Sequence, residues 1–155
     1  MEEIVKHEYF IFKKSQLKDG IVKVKYAINF KTIEGVRHPR IDDDIKDPHP
    51  DLKKSIASFK EMLLEMWGFD EENNNVNVTG LQVKYKGDET CVTILGEREI
   101  EGDWTDMNSP EIHLSENQTY GKKLRFLYEN HKKEVYEALY RFKTSQQRLD
   151  LKEAD

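Results

Sequence analysis

Between Arg37 and Asp51 the chain gathers His38, Asp42, Asp43, Asp44, Asp47, His49 and Asp51. Carboxylates and imidazoles so close in sequence are donors for a divalent cation; the oxygens suit Mg²⁺ or Mn²⁺, and the imidazoles shift that preference. His38, Asp42, Asp44 and His49 are the candidate ligands. The run lacks the alternating acids, central glycine and distal glutamate of an EF-hand, and the chain has no His-Glu-x-x-His. A solvated acidic loop is therefore the expectation, and a metal-dependent enzyme using residues 38–51 the alternative. Glu97, Glu99 and Glu101 alternate along a strand and so share one face. Paired carboxylates do acid–base work only where burial or crowding separates their pKa values; along an edge strand they are expected to stay solvated and discourage sheet-to-sheet aggregation. Cys91, the single cysteine, reads as a small buried thiol, since no basic cluster beside it in sequence would lower its pKa. No P-loop, Gly-x-Gly-x-x-Gly or Gly-x-Ser-x-Gly occurs. No cofactor is implied, and nothing argues for an enzyme.

The strongest binding feature lies in the C-terminal third. From Tyr120 to Phe142, apolar residues at helical spacing centre on Leu124 and His131, which makes His131 a packed, hydrogen-bonded core histidine. Almost opposite fall Phe126, Tyr136 and Tyr140, among Lys122, Arg125 and Lys133. Three aromatics on the outer face of a helix that covers a sheet mark an interaction surface. Self-association is its simplest form, because two-fold contacts dominate soluble oligomers. Mixed aromatic and basic residues also suit single-stranded nucleic acid, with Lys23 and Lys25 as further contacts. A net charge of -5 is the wrong sign for a dedicated nucleic-acid binder.

These residues need elements to position them. Val22, Val24, Tyr26, Ile28 and Phe30 alternate with Lys23, Lys25 and Asn29, the signature of a strand buried on one face. The apolar run Tyr9–Phe12 pairs with it across Asp19-Gly20 as a hairpin. Residues 31–50, with Pro39, Pro48, Pro50 and three successive aspartates, read as a long surface loop. Leu52, Ile56, Phe59, Leu63 and Met66 form the stripe of one helix over 51–67, with Pro50 in its first turn and Gly68 at its end. A second hairpin follows, Val76 to Ile100; its apolar phase flips at Gly80, as a β-bulge would make it do. Trp104 and the Ile112/Leu114 pair offer a further short strand. The expected fold is α+β: an antiparallel sheet of four to five strands, in two hairpins, with two helices on one face, in ββα-ββ(β)α order.

With 155 residues, 35% charged and 37% hydrophobic, the chain fits a single domain over 1–145 and a charged tail at 146–155 that frays. No apolar run approaches the roughly 18 residues of a membrane span. Met1-Glu2-Glu3-Ile4 lacks a signal-peptide core, so a cytoplasmic protein is expected. Charge is unevenly placed: residues 1–40 and 119–155 are net basic and 41–118 strongly acidic.

The stretch from Val78-Thr79-Gly80 through Val92-Thr93-Ile94-x-Gly96 to Asn108-Ser109-Pro110, followed by a long amphipathic helix, resembles uncharacterised small accessory proteins of tailed phages and prophages. The resemblance covers the C-terminal half and brings no catalytic residues. It implies an accessory role in the host cytoplasm, exercised by binding or sequestering a host protein or a nucleotide ligand.

Overall fold

The computed structural model describes residues 10–28, 30–32, 35–37, 40–69, 75–114, 120–141 and 143. In chain order the elements are β1 (Phe10–Lys18), β2 (Ile21–Ile28), β3 (Phe30–Thr32), β4 (Gly35–Arg37), β5 (Arg40–Ile45), α1 (Pro50–Ala57), α2 (Lys60–Trp67), β6 (Val76–Lys86), β7 (Glu89–Ile100), β8 (Asp103–Asp106), β9 (Ile112–His113) and α3 (Gly121–Tyr140). The fold is α+β, an open antiparallel sheet in the order β5-β2-β1-β6-β7-β8, with β9 also paired to β7 and β3-β4 forming a separate ribbon.

The first hairpin closes through Asp19 and Gly20, both at positive φ (54° and 79°), as a two-residue turn matched to the strand twist requires. Along β2, Val22, Val24 and Tyr26 are buried and Lys23 and Lys25 exposed, the alternation expected. The bulge at Gly80 is present: the β6–β7 register shifts between Val78 and Gly80, and Val76 and Val78 before it and Leu81 and Val83 after it all reach the core.

Two corrections concern the segment between the first hairpin and α3. Residues 40–45 are not loop but edge strand β5, paired to β2 over six residues. Register explains this: Asp44 lies directly opposite Lys23 and Asp42 opposite Lys25, so opposite charges on facing positions offset the poor strand propensity of aspartate. The sheet accordingly has six to seven strands rather than four or five, with β8 and β9 also added. The helix over 51–67 is broken at Ser58–Phe59 into α1 and α2. Ser55 Oγ donates to the Leu52 carbonyl at 2.6 Å and Ser58 Oγ to the Ser55 carbonyl at 2.6 Å, and Phe59 N–H turns to the Ile56 carbonyl, which tightens and bends the chain there.

The core lies between one sheet face and the helices, joining Phe12, Val24 and Leu81 to Ile56, Phe59, Leu63, Leu124 and Val135. His131 sits fully buried within it, as its place on the helix implies. Ser55 Oγ is 2.8 Å from its Nδ1 and Ser15 Oγ 2.6 Å from its Nε2. Because the Ser55 hydroxyl proton already goes to Leu52, Ser55 accepts from Nδ1–H, and Nε2 accepts from Ser15. This neutral imidazole clamps β1, α1 and α3 together. At the far end of α3, Lys143 Nζ meets Glu134 at 2.8 Å and Asp51 at 3.0 Å, tying α3 to the start of α1. Among the described residues no helix is long and apolar enough to cross a membrane.

Candidate functional site

The seam between the two halves of the sheet is short. The β1–β2 ladder pairs eight residues and β6–β7 pairs ten, but β1 and β6 pair only at Lys14–Gln82, Ser15–Leu81 and Gln16–Gly80. A register shift in β1 between Phe12 and Lys14 accompanies the divergence. Beyond Gln82 the strands part, and Tyr85 Oη reaches across the gap to donate to the Phe12 carbonyl at 2.8 Å. Burial pushes the Tyr85 phenol up from its ordinary pKa, so the donor stays protonated.

The parted strands enclose a cavity of about 780 Å³. Phe10, Ile11, Ala27, Val83 and Tyr85 give it an apolar wall, and Lys13, Lys84, Lys86 and Lys132 rim it. Lys86 is also ion-paired to Glu111 at 2.8 Å, and Lys132 Nζ lies 5.9 Å from the Tyr128 ring centroid. A second cavity of about 480 Å³ shares Lys13 and Val83 with the first and adds Lys14, Lys25, Arg40 and Gln82. Here the register matters again. Asp42, Lys25, Lys14 and Gln82 stand in one row across β5, β2, β1 and β6, on the face away from the helices. Lys14 and Lys25 are directly opposed, an arrangement that is unfavourable alone and is relieved by an anion between them. Asp42 offsets the charge from one side only.

The sequence candidates distribute as follows. Lys23 and Lys25 are exposed on this helix-free face, Lys25 within the second cavity. Asp42 and Asp44 stand on the same face opposite those lysines rather than around a shared cation. His49 is buried and caps α1, its Nδ1 accepting from Asp51 N–H at 3.0 Å, so the lone pair expected to hold a metal is engaged. His38 lies outside the described residues, as does the 146–155 tail.

The outer aromatics of α3 do not form one surface. Phe126 is 72% exposed, with Lys122, Arg125 and Lys133 also exposed, but Tyr136 and Tyr140 pack against the protein's own rings. Their centroids lie 5.8 and 6.0 Å from Phe10 and 5.0 Å from one another, and Tyr140 is 6.2 Å from Tyr26. Ten residues of helix span about 15 Å, so the two ends of one face meet different surroundings: the C-terminal end lies over β1 and β2, the N-terminal end over water. Glu97 and Glu99 are not on an edge, because β8 pairs alongside them.

Sequence reasoning missed Lys13, Lys14, Arg40, Lys84 and Lys86, and placed Lys132 only among the basic residues on the outer face of the helix. Lys84 and Lys86 alternate visibly with Val83 and Tyr85, but that they face Lys13 follows only from the strand order. Comparison with protein-family models, curated proteins and solved structures returns no match.

Proposed function

We propose that the chain is a non-enzymatic binding module whose helix-free sheet face and adjoining cleft take a small anion with an apolar body, a nucleotide being the type. The observation that carries this is a run of cations over two adjoining cavities on a chain of net charge -5: Lys13, Lys84, Lys86 and Lys132 rim the apolar-walled one, and Lys13, Lys14, Lys25 and Arg40 line its neighbour. A cavity of about 780 Å³ is within the range of roughly 300–1,000 Å³ that holds such ligands. The base or other flat body would lie against Tyr85 and Val83 and the phosphates against the lysines, in charge-assisted hydrogen bonds.

Calorimetry with ATP, and with inorganic triphosphate as the control lacking an apolar body, tests the reading. ATP is expected to bind more tightly than triphosphate and to weaken as salt rises. Lys14→Glu with Lys25→Glu is expected to weaken ATP at least tenfold, about 1.4 kcal/mol. Absence of binding by both probes at low salt refutes the proposal; equal binding by both removes the apolar part. Because Lys23 lies two residues from Lys25 on the same face of β2, outside both cavities, single-stranded nucleic acid is the competing ligand. An oligothymidylate gel shift lost in Lys23→Ala together with Lys25→Ala, with ATP inert, would favour it.

Self-association remains as a second reading, carried by Phe126 alone. One ring removes far less area than the roughly 800 Å² per partner of a stable interface, so a contact there is weak and concentration-dependent. Light scattering over a concentration series is expected to show a monomer–dimer shift that Phe126→Ser abolishes. A monomer at every concentration in the unaltered chain ends this reading.

A further inference from the structure

A second cluster lies on the same sheet face, one strand beyond the cleft. Strand β9 pairs with β7 so that Cys91 faces His113 and Val92 faces Ile112. Side chains two apart on a strand share a face, so Glu89 and Cys91 from β7 meet His113, and Glu111 just before it, from the other chain segment. His113 Nδ1 is 2.8 Å from Glu89 Oε2 and 3.4 Å from Cys91 Sγ. One ligand atom each from Glu89, Cys91 and His113 lies within 4.8 Å of the others. Glu111 holds Lys86 at 2.8 Å beside this group.

We propose that Glu89, Cys91 and His113 form a site for one transition-metal dication of the Zn²⁺ class, with Glu111 or water completing a tetrahedron. The distances support this. Tetrahedral zinc with about 2.3 Å to sulfur and about 2.0–2.1 Å to nitrogen or oxygen places sulfur and nitrogen roughly 3.5 Å apart; the observed separation is 3.4 Å. The Glu89–His113 hydrogen bond would open by about half an ångström as its proton is replaced by the metal. On binding, the metal–sulfur bond forms as the thiol proton leaves to the solvent, and the metal–nitrogen bond forms as the Nδ1 proton is given up and the neutral ring carries its proton on Nε2. One thiolate and one carboxylate then neutralise the dication, and thiolate with imidazole selects Zn²⁺, Co²⁺ or Ni²⁺ over Mg²⁺.

The site combines a closed floor with an open mouth. Cys91 is 1% exposed, whereas the side chains of His113 and Glu89 are about a third exposed (34% and 36%) and give the ion a route in. A thiol–imidazole nucleophile is the less favoured use of the same atoms, because the thiol lies nearer Nδ1 (3.4 Å), which the Glu89 carboxylate already holds, than Nε2 (3.9 Å). A relay needs the two partners on different ring nitrogens.

Cobalt is the probe. Full-length protein titrated with Co²⁺ is expected to develop the near-ultraviolet thiolate-to-cobalt charge-transfer absorption, saturating at one ion per chain and bleached by Zn²⁺. Cys91→Ser is expected to lose that absorption and His113→Ala to weaken Co²⁺ more than tenfold. Should either of those fail to fold, Glu89→Gln, at a half-open position, keeps the absorption but weakens the ion about tenfold. No charge-transfer absorption in the unaltered protein overturns the proposal, as does absorption that survives in folded Cys91→Ser, or Co²⁺ affinity unchanged in Glu89→Gln.

Discussion

Gly80→Ala is expected to cost more than about 4 kcal/mol and to leave little or no folded protein at room temperature. A β-carbon at this position would lie 1.8 Å from the Ser15 carbonyl oxygen, 2.7 Å from its carbon and 2.9 Å from Gln16 Cα. All three are backbone atoms, so no rotamer change relieves the clash; β1 or β6 must move. The ladder they share is three pairs long and Gln16–Gly80 is one of them, so displacement there threatens the whole junction. Ser15, whose hydroxyl holds His131, moves with it. Urea unfolding followed by circular dichroism measures the effect. A variant within about 1 kcal/mol of the parent would show that the strands do not approach as described.

The second large effect concerns acid. Burial pushes the His131 pKa down to about 3, from an ordinary value near 6.5. The unfolded chain therefore takes up a proton below about pH 6.5 that the folded chain refuses until about pH 3. The stability contributed by the neutral ring is complete above pH 6.5 and falls as pH drops through that window, by at most about 1.4 kcal/mol per pH unit. Urea midpoints measured at pH 7, 5 and 4 are expected to decline more steeply for the parent than for His131→Leu. The variant has no such group to titrate, although it is less stable at pH 7 by about 2–4 kcal/mol, since the Ser15 and Ser55 hydroxyls lose a buried partner. Parallel pH profiles for the two proteins would refute the assignment.

How legible each of these features was depended on whether its cause is local. The alternation of β2, the Asp19-Gly20 turn and the phase flip at Gly80 are written in neighbouring residues, and all are present. So is the core position of His131, which helical spacing alone places. Strand β5 was not legible, because what makes Asp42 and Asp44 tolerable there is the pair of lysines on β2, and only register brings them together. The break at Ser58 had a local sign, two serines three apart that can turn back on the helix, but the continuous apolar stripe from Leu52 to Met66 outweighed it. The helical wheel placed Tyr136 and Tyr140 correctly in angle and wrongly in surroundings, since it holds no information about Phe10 and Tyr26. The lysine-lined cleft and the Cys91–His113 pair are products of strand order, one through a three-pair ladder and the other through a two-residue strand.

The brevity of the β1–β6 ladder also bears on the order of assembly. Both long hairpins join residues near in sequence and zip quickly, whereas Ser15 and Leu81 are separated by all of β2, β5, α1 and α2. Closing so large a loop for three rungs carries an entropic cost that local pairing does not. By this argument the junction forms after the two hairpins and opens before them, each hairpin staying intact on its own side.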